Sequence, residues 1–368
     1  MPLRPWLVLA VLIIAGAVCI MAWRSRPSPV LDVGLVGSFS GRFASLGTTG
    51  RDGAILALEE LNAGGGVLGA QLRFVMHDDA SDGDTCIAAY RALAAAGCRV
   101  VIGPFATGPA TAALSTIDRE RILTIAPTVA GDNFTGKDDW FLRLYPSTRQ
   151  MGTVLGRMLS AEPADAVCIV GDAANGPFLE TTVAGVVEAA AGRQVVQVSF
   201  DSRRRPDLST IAAQVPPAAQ VLLVASSVDA AALAQRLAGS RLYCASWAVS
   251  KELVANGGRA IDGMRTVLPA GVYDADGSEL ATRYLARFGE PITHVAVLHY
   301  EAVMLLAAAM RDTGSSDPDV LRRRLTDGAA IPGAPPRCGL DRFGDPMRPV
   351  QSYRYADGHL QAEHEVGR

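Results

Sequence analysis

Apolar and polar positions fall into alternating blocks along this chain. Val33–Val36 is an apolar run of the length of a buried strand. Gly37 to Gly50 is rich in Gly, Ser and Thr, which favours turns and leaves backbone N–H groups accessible. From Arg51 the apolar residues Ile55, Leu56, Leu58 and Leu61 recur at helical spacing. The glycines after Asn62 end that helix, because glycine takes positive φ freely. The unit is therefore strand, ligand-sized loop, helix and glycine stop. A small molecule fits at the strand's carboxyl end, against the helix N-terminus.

The same alternation continues. Strands are expected at Gln71–Met76, Arg99–Gly103, Ile122–Ile125 and Phe141–Tyr145, with a helix over Thr85–Ala96. The pattern then restarts with a helix at Met151–Leu159 and strands at Ala166–Val170, Val195–Phe200, Val221–Val224 and Leu242–Ala245. Phe178–Ala191, Ser278–Phe288 and His294–Met310 read as helices, Met264–Leu268 as a strand, and Leu340–Gln361 as a hairpin. Strand and helix in turn throughout give an α/β fold with parallel sheets. A chain of 368 residues is long enough for two compact lobes.

Composition narrows the function. Hydrophobic residues make up 49% of the chain and aromatics only 6%, as expected of buried parallel strands packed against small-residue helices. A net charge of −3 with no basic stripe gives no reason to expect nucleic acid. Leu7–Ala22 is uninterrupted and apolar, preceded by Arg4 and followed by Arg24 and Arg26. Residues 1–30 thus read as a signal sequence or a membrane anchor, and the folded part as exported. Cys19 invites a lipid anchor, but Val18 stands where that signal wants a small residue.

Five cysteines follow, an odd number that forbids complete internal pairing. Cys86 and Cys98 flank a helix about 18 Å long, too far apart to bridge. No CxxC or His-Cys cluster supports a metal site. The acidic cluster Asp78, Asp79, Asp82 and Asp84 does not match a calcium loop; it reads as a solvated turn in which Asp84 caps the next helix.

Two catalytic motifs fail on context. Gly64–Gly69 satisfies GxGxxG but follows a helix and precedes a strand, the reverse of a dinucleotide site. Gly37–Gly41 places Phe39 where a hydrolase elbow needs its nucleophile. None of His77, His294, His299, His359 and His364 stands beside a nucleophile in sequence. The chain reads as a non-enzyme that needs no cofactor.

A binding reading is better founded. Loops at strand carboxyl ends carry Ser38, Ser40, Thr107 and Thr128, each offering a hydroxyl near backbone N–H groups at a helix start. Such groups suit a carboxylate or carbonyl oxygen. Leu46, Phe105 and Ala106 would shape the pocket, and Ser226 follows another strand end.

The stretch Val33–Gly69 resembles the N-terminus of type I periplasmic binding proteins, the branched-chain amino-acid-binding group of ABC transporters. The resemblance rests on Ser40-Gly41, Gly47 and the run Asn62-Ala63-Gly64-Gly65-Gly66-Val67-Leu68-Gly69. Val101–Pro104, Ile125–Thr128, Phe141–Arg143, Tyr300–Ala302 and Phe343–Asp345 extend it over residues 31 to 362. It implies two Rossmann-like lobes joined by a three-strand hinge, with residues 31–147 and 270–339 in one lobe and 148–269 and 340–368 in the other. It also implies a small-molecule ligand in the cleft and a permease of the inner membrane as partner. A membrane-anchored sensor of the same fold is the rival reading.

In that family the turns at Thr107 and at Thr128–Ala130 grip the amino acid's charged backbone. Thr107 keeps its hydroxyl; Ala130 lacks one. Asn175-Gly176 stands where a Tyr-Gly pair is usual, and Ser246, beside Trp247, where an acidic residue pairs with the ligand ammonium. A buried ammonium without a carboxylate is costly, so the ligand is expected not to be a standard zwitterionic amino acid. Asp172 and Asp229 are substitute partners for a cation, or helix caps. Trp247 either stacks on a planar ligand or fills the hinge.

Overall fold

The computed structural model describes residues 29–363, apart from 165, 191 and 273–277. The apolar run Leu7–Ala22 lies outside the described residues. Among the described residues no helix is long and apolar enough to cross a membrane.

The first sheet holds β1 (Val30–Gly37), β2 (Gln71–Asp78), β3 (Val100–Ile102), β4 (Leu123–Ala126) and β5 (Phe141–Arg143) in the order β2-β1-β3-β4-β5. All its neighbours pair in parallel. The second sheet holds β6 (Val167–Asp172), β7 (Val195–Phe200), β8 (Gln220–Val224), β9 (Arg241–Cys244), β10 (Arg265–Pro269), β11 (Val350–Ala356) and β12 (His359–Ala362). Its order is β12-β11-β10-β9-β8-β6-β7, parallel except at β11, which pairs antiparallel with both β10 and, as a hairpin, β12. That hairpin is shorter than the alternation from Leu340 suggests, because Leu340 forms only an isolated bridge to Pro346.

Helices cover both sheets. They are α1 (Ala44–Ala63), α2 (Gly83–Ala95), α3 (Thr107–Arg119), α4 (Thr148–Ala161), α5 (Gly176–Ala189) and α6 (Leu208–Ala212). There follow α7 (Ser227–Arg236), α8 (Lys251–Gly257), α9 (Glu279–Phe288), α10 (His294–Thr313) and α11 (Pro318–Leu325). The chain passes between the sheets after β5, after β10 and before β11. After the second passage α9 and α10 pack on α1, and α11 packs on α10 and β4, so this late segment completes the first lobe. Burial of most of its surface explains why α10 is largely apolar, with the buried Glu301 paired to Arg348.

Helix α1 starts at Ala44, seven residues before the expected start. Gly47 and Gly50 read as turn residues, but they are helical and serve close packing. A Cβ on Gly47 would stand 1.8 Å from the Ser38 carbonyl oxygen, and one on Gly53 would stand 2.1 Å from that of Ala296. A Cβ on Gly50 would meet the His299 ring at 2.7 Å. Bare backbone on one face of α1 is what lets α10 lie against it.

The acidic cluster also differs from expectation. Asp82, not Asp84, caps α2, accepting from the Thr85 amide at 2.9 Å. Asp78 accepts from the amides of Phe39 and Ser40 at 2.9 and 3.1 Å, and buried Asp79 accepts from the Ser38 hydroxyl at 2.6 Å. Asp78, Asp82 and Asp84 are exposed, as a solvated turn requires, while Asp78 and the buried Asp79 also fix the β1–α1 loop. The five cysteines of the described part are free and buried.

Candidate functional site

In each sheet the chain leaves its first strand, β1 or β6, to one side and returns on the other. The reversals fall between β1 and β3 and between β6 and β8. Strand-end loops diverge at such a switch point and leave a crevice. The two crevices face each other across a cleft of about 370 Å³.

The first wall comes from the start of α1, the β3–α3 turn, the β4–β5 loop and the start of α10. It carries Phe43, Leu46, Phe105, Ala106, Thr107, Thr128, Ala130 and Thr293. The second wall carries Asn175 and Phe178 from the β6–α5 region, Ser226 from the end of β8, and Ser246, Trp247 and Glu252 beyond β9. Tyr145, on the first passage between sheets, closes the back.

Helix α3 opens on Ala106, whose extended backbone (φ −115, ψ 144) offers no side-chain cap. Pro109 has no N–H, and the Ala110 amide bonds the Ala106 carbonyl at 3.1 Å. The Thr107 and Gly108 amides are therefore the donors left at this helix end, where the macrodipole favours negative charge. Thr107 Oγ1 accepts from the Ala130 amide at 3.4 Å, so Ala130 contributes its backbone where a hydroxyl was expected. Phe105 forms the floor, fully buried between Phe39 and His299 at centroid distances of 5.9 and 4.0 Å. Across the cleft Phe178 and Trp247 make an edge-to-face pair at 5.9 Å.

Of the residues singled out in the sequence, Leu46, Phe105, Ala106, Thr107, Thr128, Ala130, Asn175, Ser226, Ser246 and Trp247 all line this cleft. Ser40 does not. Its amide bonds Asp78 and its carbonyl accepts from the Ser81 hydroxyl, so it anchors the loop outside the cavity.

Several of the lining hydroxyls are engaged within the protein. Thr128 donates to the Phe105 carbonyl at 2.7 Å, and Ser226 caps α7 and donates to Asp229 at 2.7 Å. Asp172 accepts from the Ala174 amide and from Ser202, so it holds its own turn and is no free partner for a cation. Burial pushes the Tyr145 phenol up, with a hydrogen bond from Ser246 opposing it.

Sequence reasoning missed Ser45, Thr48, Thr49 and Asp52. They form a polar stripe at i, i+3, i+4 and i+7 on the front of α1, legible only once the helix is extended back to Ala44. It also missed the rim of the cleft. There Ser45 donates to Glu252 Oε1 at 3.1 Å, Lys251 pairs with Glu290 at 2.9 Å, and Arg42 reaches the Ala174 carbonyl at 3.5 Å. Each of these contacts joins an element of one lobe to an element of the other.

The comparisons agree with this architecture. The family model for periplasmic binding proteins matches residues 30–359. A leucine-, isoleucine-, valine-, threonine- and alanine-binding protein of Pseudomonas aeruginosa is 24% identical over 320 residues, 84% of this chain and 86% of its own. Among solved structures, a leucine-binding protein of Thermotoga maritima superposes with a TM-score of 0.77 at 18% identity, covering 91% of this chain and 98% of its own. A solute-binding protein of R. palustris in complex with benzoate superposes with a TM-score of 0.75 at 22% identity, covering 90% and 95%. The chain belongs to the type I periplasmic binding proteins, in the branched-chain amino-acid-binding group of ABC transporter receptors.

Proposed function

We propose that this chain is an exported solute receptor that binds a small carboxylate in the cleft and hands it to an ABC permease of the inner membrane, without making or breaking a bond. The observation that carries the reading is the uncapped start of α3, with the Thr107 and Gly108 amides at a cavity walled by both lobes. The lobes are taken as 31–147 with 270–339, and 148–269 with 340–368. A solute touching both favours the closed state, because only differential contacts shift such an equilibrium.

Ser246 gives the second wall no carboxylate at the position the resemblance assigns to an ammonium partner, and its hydroxyl is directed to Tyr145. A standard α-amino acid is therefore not the ligand. The aromatic lining from Phe105, Phe178, Trp247 and Tyr284 suits an apolar or planar body behind the carboxylate. The benzoate bound by the R. palustris relative is a molecule of that type.

A thermal-shift screen over carboxylates, amides and amino acids tests the reading, since a solute that binds only the folded chain raises its melting temperature. Stabilisation by a carboxylate supports it. Micromolar binding of leucine, isoleucine or valine contradicts it.

A further inference from the structure

We propose that Lys251 and Glu252, at the start of α8, form a latch across the mouth of the cleft that closes on Glu290 and Ser45 of the first lobe, so that the protein's own rim, and not the solute alone, holds the lobes together. This rests on the two-lobed receptor reading above and adds the device that keeps its cleft shut.

Lys251 Nζ lies 2.9 Å from Glu290 Oε2, and the Ser45 hydroxyl donates to Glu252 Oε1 at 3.1 Å. A third contact, from Arg42 to the Ala174 carbonyl at 3.5 Å, crosses between the same lobes. Arg42, Ser45, Lys251, Glu252 and Glu290 all line the cleft, and the Lys251 and Glu290 side chains are half exposed. These contacts stand at the solvent edge. The back is closed instead by buried Tyr145, on the first passage between the sheets. A rotation about the passages moves the mouth farthest, so opening the cleft breaks the rim contacts first.

Both ends of the ion pair are set by the backbone. The Ser250 hydroxyl caps α8, accepting from the amides of Glu252 and Leu253 at 3.1 and 3.4 Å, and Leu253 is fully buried. Helix α9 stops at Gly289, whose left-handed backbone (φ 73) lets its amide reach the Leu285 carbonyl at 2.8 Å, and Pro291 follows Glu290 directly. Only side-chain freedom is then lost when the pair forms.

Lys251 is flanked by Glu290 and Asp52 of the first lobe and by Glu252 of its own. The Glu290 hydrogen bond leads these in holding its ammonium above the usual range. One cation of the second lobe thus meets two carboxylates of the first. An exposed pair is worth up to about fivefold in an equilibrium constant, and salt screens it. The latch is protein on both sides, so it favours closure around any solute alike. The choice among solutes stays with the walls of the cleft.

Small-angle X-ray scattering of the full chain, with no solute added, tests the latch. In about 20 mM salt the wild type should be compact, and in about 500 mM salt, where the pair is screened, its radius of gyration should rise. Glu290→Lys sets two ammonium groups against each other. It should shift the closed-to-open ratio about tenfold towards open and give the larger radius at both salt concentrations. Lys251→Glu combined with Glu290→Lys should restore most of the compact form at low salt. Identical scattering from the wild type and Glu290→Lys, a wild type insensitive to salt, or an expansion that the reversed pair does not undo, overturns the latch. Each of these results leaves the carboxylate reading standing, because no solute enters the measurement.

Discussion

Arg143 at the end of β5 and Asp345, 202 residues later, form a buried ion pair, with Nε 3.1 Å from Oδ1. The same guanidinium donates to the Gly131 carbonyl at 2.9 Å and to Thr135 at 2.8 Å, and Asp345 Oδ2 accepts from the Gly136 amide at 2.7 Å. The Arg143 amide bonds the Gly344 carbonyl at 2.9 Å. The segment entering the last hairpin is thereby locked to the edge of the first sheet, beside the first passage between lobes.

Removing one partner of a buried pair leaves an uncompensated charge and typically costs about 3–5 kcal/mol. Asp345→Ala should lose stability on that scale in urea denaturation, with Arg143 the group left unpaired. A loss below about 1 kcal/mol would mean that the pair is not what holds this junction.

The glycine face of α1 makes a second prediction. Gly53→Ala drives a methyl into the Ala296 carbonyl and should destabilise the protein by about 1–3 kcal/mol or more. Gly108→Ala, at a helical position where a Cβ meets nothing within 4 Å, should leave stability unchanged or raise it by up to about 1 kcal/mol. Comparison of the two melting curves checks the pair. Equal effects would mean that α1 and α10 are not in close contact.

These residues also show what was legible in the sequence. Strand positions were clear because central parallel strands buried on both faces leave unbroken apolar runs, as at Val221–Val224, while the edge strand Val195–Phe200 alternates, with Gln197 and Ser199 exposed. The start of α1 was not, because glycines required by helix–helix contact look the same in sequence as glycines required by a turn. Short helices such as α6, α8 and α11 carry too few turns for a period to emerge. The floor and second wall were readable from strand-end loops. The rim was not, because Ser45, Glu252, Lys251 and Glu290 meet only through the tertiary arrangement of two lobes.

Two buried histidines give a pH prediction. Burial lowers the His294 imidazole to about 4 and the His299 imidazole to about 3. In the unfolded chain both titrate near 6.5. As pH falls below about 6.5, the unfolded state takes up protons that the folded state refuses, so stability present above that pH is lost down to the folded values. Each histidine contributes a slope of up to about 1.4 kcal/mol per pH unit in that window. His299→Asn keeps a donor for the Val295 carbonyl, which His299 Nδ1 contacts at 2.7 Å, and removes the titration. Its stability should fall less steeply than that of the wild type between pH 6.5 and pH 4. Parallel profiles would show that His299 is already protonated in the fold.

The most direct test of the receptor account is a crystal structure of the chain with the solute that raises its melting temperature most. The account predicts the solute's carboxylate on the Thr107 and Gly108 amides and its body against Phe178 and Trp247, touching residues of both sheets. A solute bound outside this cleft, or held by one lobe alone, would contradict it.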